Sequence, residues 1–179
     1  MSEDTVEQDQ EQTTIAPSIE MNQERVAKVV ISEADKEHFF KCILADKPYE
    51  ETVYLFDKQL AVRFKSMTVA ENADVVQQII KDKEKNVAAD SDSYFITIAT
   101  YRLAQSLVSV DGKPFSNITK TTFSPLTADD SYILAKAKPI TAWSTCKLSV
   151  FLDAFQQFEA KVIKLTREVQ TPNFWKASM

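Results

Sequence analysis

Apolar residues recur along this chain with two different periods, and the change of period marks its elements. From Glu51 to Ser66 the order is "ETVYLFDKQLAVRFKS", in which Leu60, Val62 and Phe64 alternate with Ala61, Arg63 and Lys65. Period two is the signature of a half-buried strand, so this stretch predicts a hairpin turning at Phe56-Asp57-Lys58-Gln59. Upstream, the valine-rich "RVAKVVIS" predicts an edge strand over residues 25–32. Ser32 with acids following it predicts a short helix carrying Phe39, Cys42 and Ile43 on one face and ended near Lys47-Pro48.

After residue 66 the period becomes helical. Thr68-Val69-Ala70-Glu71 is a capping-box pattern, and Val69, Ala73, Val76 and Ile80 follow at four-three-four spacing, which predicts one buried stripe. "SYFITIATYRLAQSLVSV" predicts a helix by its length, although its first half is β-branched. Gly112 stands directly after it, followed by Pro114, a combination that predicts a left-handed helix C-terminus and a sharp stop. Residues 115–126 predict a loop. Thr127 with Asp130 predicts the start of a helix that ends at Pro139. Last, Leu148, Phe151, Phe155, Phe158, Val162, Leu165 and Val169 form a three-four seam on a helix of about 23 residues. The predicted fold class is α+β and mostly helical, with a strand and hairpin leading into a helical bundle that ends in a long amphipathic helix.

Charge divides the chain. Residues 1–24 hold seven acids and no Lys or Arg, leaving the remainder at +2 within a total of −5. The first segment, Gln/Glu-rich and poor in apolar side chains, predicts a disordered acidic arm. A single α+β domain over residues 25–170 and an aromatic tail over 171–179 complete the expected organisation. A nearly neutral domain lacks the basic field that duplex binding needs, so no nucleic acid is expected as partner. No apolar run is long enough for a membrane span, and no secretory leader is visible, so a cytosolic compartment is expected. Cys42 and Cys146 then predict buried thiols, and Asn117-Ile118-Thr119 carries no meaning as a glycosylation pattern.

Little catalytic chemistry remains open. Gly112 is the only glycine, which excludes every phosphate-cradling or nucleophile-elbow motif that needs two. His38 is the only histidine and stands beside Phe39 and Phe40. With two cysteines it leaves a closed zinc site one ligand short. Asp90-Ser91-Asp92 and Asp129-Asp130 each precede an apolar run and predict helix caps rather than a metal site. No enzyme activity, no cofactor and no metal is expected.

Protein contacts remain. The seam of Leu148, Phe151, Phe155, Phe158, Val162 and Leu165 fits either packing within the chain's own bundle or a partner or homo-oligomer surface. Phe174 and Trp175, in "TPNFWKASM", either fold back on the domain or anchor a partner. "LAVRFKSMTVAENADVVQQI", "YRLAQSLVSVDGKPFSN" and a final long helix running into "TPNFW" together resemble bacteriophage tail assembly chaperones and related small tail or baseplate assembly proteins, over residues 60–175. "SVDGKPF" is the most specific piece, and neither the acidic arm nor "NITKTTFSPL" has a counterpart. The resemblance implies a non-enzymatic protein of the host cytoplasm that covers the helical tape-measure protein until tail-tube subunits polymerise around it. A structural subunit retained in the virion, at a baseplate or tail junction, is the alternative it leaves, and a soluble adaptor outside phage assembly is a third.

Overall fold

The computed structural model describes residues 25–85, 91–127 and 130–171. The expected acidic arm, Asp90, Asp129, Phe174 and Trp175 lie outside them. The protein is α+β and mostly helical. Its elements are α1 (Glu33–Leu44), β1 (Glu50–Leu55), β2 (Leu60–Lys65), α2 (Val69–Glu84), α3 (Ser91–Ser106), β3 (Leu107–Val110), β4 (Lys113–Pro114), α4 (Tyr132–Thr141) and the long closing helix α5 (Thr145–Val169). A helical turn at residues 25–28 precedes them.

The antiparallel sheet runs β1-β2-β3-β4. The expected hairpin is present, with Glu50 opposite Lys65 and Leu55 opposite Leu60. Its four-residue loop holds Phe56, Asp57 and Lys58 at φ 51, 53 and 69°, a left-handed run without a glycine that strains the bulky Phe56 most. Val62 and Phe64 are fully buried while Arg63 faces solvent, as period two requires. Both capping boxes exist. Ser32 exchanges hydrogen bonds with Asp35, and Thr68 with Glu71.

Four expectations about elements are corrected. Residues 25–32 form no edge strand. Instead they lie along α5, where Arg25 bonds Gln156, and Lys164 Nζ donates to the Val29 carbonyl at 2.7 Å. The Lys164 ammonium thus satisfies a backbone carbonyl that a sheet partner would have bonded, and Gln156 holds the Arg25 side chain. The helix predicted to reach Gly112 stops at Ser106, and Leu107–Val110 turns directly into β3 beside β2. Gly112 (φ +72°) and Asp111 (φ 48°) are therefore the two central residues of a tight β3–β4 hairpin, the Asp-Gly preference of a turn with both φ positive. A Cβ on Gly112 would touch nothing within 4 Å, so its backbone angle alone calls for glycine. Asp111 also joins β2, its N–H donating to the Ala61 carbonyl and its carboxylate accepting from the Ala61 N–H, at 2.8 and 2.9 Å.

The third correction concerns α4. Ser131 caps it, Asp130 instead accepts the N–H groups of Leu126 and Thr127 at 2.8 Å each, and Pro139 sits inside the last turn. Buried Ile140 holds that turn against the core despite the missing donor. The fourth concerns α2. Of the predicted stripe, Val69, Val76 and Ile80 are 90, 46 and 50% exposed, and Ala73 is exposed too.

One hydrophobic cluster joins α1, the sheet and α2 to α5. Its centre is aromatic. Phe64 lies 5.9 Å from Phe155 and 5.7 Å from Phe158, Tyr49 stacks on Phe158 at 6.1 Å, and Trp143 tilts against Phe151 at 4.7 Å.

Candidate functional site

The seam of α5 is the chain's own core. Phe151, Phe155, Phe158 and Leu165 are no more than 3% exposed, while Leu148 and Val162 are half-buried against them. Four of the six proposed partner-binding positions thus pack inside the chain's own fold, whereas Leu148 and Val162 keep part of their surface. Burying such side chains stabilises by about 1.5–3 kcal/mol each. Presenting four of them to a partner would cost about as much as a whole domain's margin of stability. The other proposed anchors, Phe174 and Trp175, lie outside the described residues.

Among the described residues, large apolar side chains are exposed on several elements, Leu44, Tyr54, Phe56, Phe95 and Ile96 among them, and on α2 they recur at helical spacing. Its capping box fixes where the helix starts, and polar anchors fix its rotation. On the inner side Gln78 Nε2 donates to Asp82 Oδ1 at 2.7 Å and the Tyr101 hydroxyl donates to Asp82 Oδ2 at 2.7 Å, all three groups buried. Burial, and then the neighbouring Asp82 carboxylate, raise the Tyr101 phenol well above its ordinary value. Beside them Val75 is 1% exposed. At the flanks Glu71 pairs with Lys65, and Asp74 with Lys120 at 2.8 Å. Burial works against the Glu71 charge, but the Lys65 ammonium and the Thr68 N–H outweigh it and hold the carboxyl below the usual range.

With these groups turned inward or sideways, the outward face is left uncharged. Every exposed position from Val69 to Ile80 is neutral: Val69, Ala70, Asn72, Ala73, Val76, Gln77 and Ile80. A solvated helix face ordinarily carries Lys and Glu. A charge-depleted, aliphatic face bordered by amides has the composition of an interface core. Residue spacing did find this stripe, but assigned it to the interior. The clue to its true direction was Gln78 and Asp82 on the opposite face, where a buried tyrosine hydroxyl awaits them.

The other polar clusters tie elements together. Lys161 Nζ sits 2.8 Å from both Asp35 and Glu51, joining α1, β1 and α5. Near it a cleft of about 530 Å³ is lined by Lys28, Val29, Val53, Phe158 and Ala160 among others. Lys136 is buried and donates to Gln105 Oε1 at 2.9 Å, leaving the buried Gln105 Nε2 without a partner. Burial and then nearby Lys65 push the Lys136 ammonium down to about 8. His38 is exposed and packs on Tyr49 at 5.0 Å. The cysteines differ from expectation, since Cys42 is half-buried and Cys146 exposed; Cys146 stands in the solvent-facing first turn of α5. Among the described residues no three His, Cys, Asp or Glu side chains converge as metal ligands. No described helix is long and apolar enough to cross a membrane.

Compared with family models, with curated proteins and with solved structures, the chain matches none.

Proposed function

We propose that this chain is a non-enzymatic interaction factor that covers an amphipathic helix of another protein with the outward face of α2. The observation that carries the reading is the neutral surface from Val69 to Ile80, whose aliphatic positions recur at the four-three-four spacing that a second helix matches. The partner is the helical tape-measure protein of a phage tail, and the setting is the host cytoplasm during tail assembly. The resemblance of residues 60–175 to tail assembly chaperones supports that identity. β2 is paired on both sides, by β1 and β3, so Leu60–Phe64 offers no free edge to a neighbouring subunit, whereas β1 is paired on one side only within the sheet.

The test is quantitative mass spectrometry of purified virions beside their lysate, with capture of the tagged chain and of its Val76→Asp variant. The expected result is a protein abundant in lysate and missing from virions, which co-purifies with a long helical protein only when Val76 is intact. Many copies in the virion would identify a structural subunit instead. Unchanged capture by the variant would remove α2 from the account.

A further inference from the structure

Helix α1 carries a second apolar stripe beside the one that buries Phe39. Phe40, Ile43 and Leu44 follow Lys36 at four, seven and eight positions, the spacing of one helix face. Phe40 is half-buried, whereas Ile43 and Leu44 are 48 and 71% exposed. The end of α5 is fixed at the start of this stripe. Glu168, in its last turn, pairs with Lys36 at 3.3 Å, and Val169 packs against the core. Gln170 caps the helix, and Pro172 follows, a residue that cannot continue it. Two positions further on stand Phe174 and Trp175.

The lengths agree. Extended chain covers about 3.4 Å per residue, so Phe174 and Trp175 reach about 10 and 14 Å from Thr171. Along α1, at about 1.5 Å per residue, Phe40 and Leu44 lie about 6 and 12 Å from Lys36. Two large aromatics thus follow directly on the point where an exposed aliphatic stripe begins, and contact between them removes apolar surface of both from water. We infer that residues 172–176 fold back over α1 and seat Phe174 and Trp175 against Phe40, Ile43 and Leu44, strapping the end of α5 to α1. A tethered segment meets its site at an effective concentration in the millimolar range, which a free partner in solution does not match. The aromatic tail then belongs to the domain and is no anchor for another protein. The strap and the outward face of α2 are independent of each other.

Tryptophan fluorescence of the full chain tests this. Trp143→Phe leaves Trp175 as the only indole. Its expected emission is blue-shifted, and acrylamide quenches it several-fold less than in the urea-unfolded chain, at every protein concentration. Leu44→Lys, a cation suited to the last turn of a helix, shifts the emission to the red and raises quenching several-fold while the circular dichroism stays that of the folded chain. A second measurement leaves Trp143 in place. In urea titrations, Leu44→Ala and Trp175→Ala are expected to couple by about fivefold or more in the unfolding constant. If Trp143→Phe disturbs the core, the alanine pair decides alone. A Trp175 indole as exposed as in the unfolded chain overturns the inference and returns the tail to the role of a partner anchor. Shielding that persists in Leu44→Lys, or additivity of the two alanine variants, overturns the seat on α1. Shielding that fades on dilution overturns it as well and assigns the tail to a second copy.

Discussion

Helices α2 and α5 carry the same kind of apolar spacing, and the fold uses them in opposite ways. On α5 the seam turns inward, and Phe151, Phe155, Phe158 and Leu165 disappear into the core. On α2 the seam turns outward, and a second stripe containing Val75, Gln78 and Asp82 is buried in its place. The difference lies in side-chain size and in what the opposite face offers. Three phenylalanines bury far more surface than two valines, an alanine and an isoleucine, and the aromatic ring of Phe64 meets them from the sheet. The far side of α5 is polar: Gln157 donates to Asp153 at 2.8 Å, and the Arg25 guanidinium lies 3.9 Å from that carboxylate. The far side of α2 is polar too, but there Gln78 donates to Asp82, and Asp82 also accepts from the buried Tyr101 hydroxyl of α3. Spacing therefore finds an apolar stripe, and the anchors opposite it decide which way the stripe faces.

The strongest way to break this comparison is at the centre of α5. Phe155→Ala removes a fully buried ring that packs on Phe64, and is expected to cost about 3–5 kcal/mol of folding stability in a urea titration. A loss below about 1 kcal/mol would mean that the seam is not core. Next comes the anchor of α2. Tyr101→Phe leaves the buried Asp82 with Gln78 alone, and a buried carboxylate deprived of a donor predicts a loss of about 1–3 kcal/mol. If stability is unchanged, the rotation of α2 has another cause.

Lys136 gives a smaller and continuous effect. Its ammonium titrates near 8 in the folded protein against 10.5 when unperturbed, so between those values the unfolded chain binds more protons. Stability must then rise as pH climbs through that window. Below about pH 8 the group contributes no slope. Near pH 10 the unfolded tyrosines begin to ionise, whereas Tyr49 and Tyr101 stay protonated in the fold, and their contribution reverses the trend. Urea midpoints measured between pH 7 and 11 should pass through a maximum. Replacing Lys136 with Met should remove the rising limb and leave the falling one.

How much of this was legible in the residues follows from the same contrast. The Thr68 and Ser32 caps, the hairpin and the closing helix all rest on local chemistry, a short side chain meeting a nearby N–H or a period-two stripe, and all stand in the fold. The switch from α3 to β3 was not legible, because no turn residue separates Ser106 from Leu107 and the strand exists only through its pairing with β2. Residues 25–32 have strand composition, yet they are tied to α5 from more than 130 positions away, the Val29 carbonyl by Lys164 and the Arg25 side chain by Gln156, without a ladder. In the candidate site, the residues of the α2 face were visible and their direction was not, since direction depends on Tyr101, a residue of another helix. Phe151 and its neighbours had two open readings, and the ring of Phe64 decides between them.

The most direct measurement of the central claim is the urea unfolding of Val76→Asp with Ile80→Asp, made beside Phe155→Ala at sub-micromolar concentration. The account predicts a paired α2 variant within about 0.5 kcal/mol of the wild-type chain, as befits exposed positions, next to a severe loss for the α5 variant. A loss of several kcal/mol in the α2 variant would place that stripe inside the fold and remove the docking face.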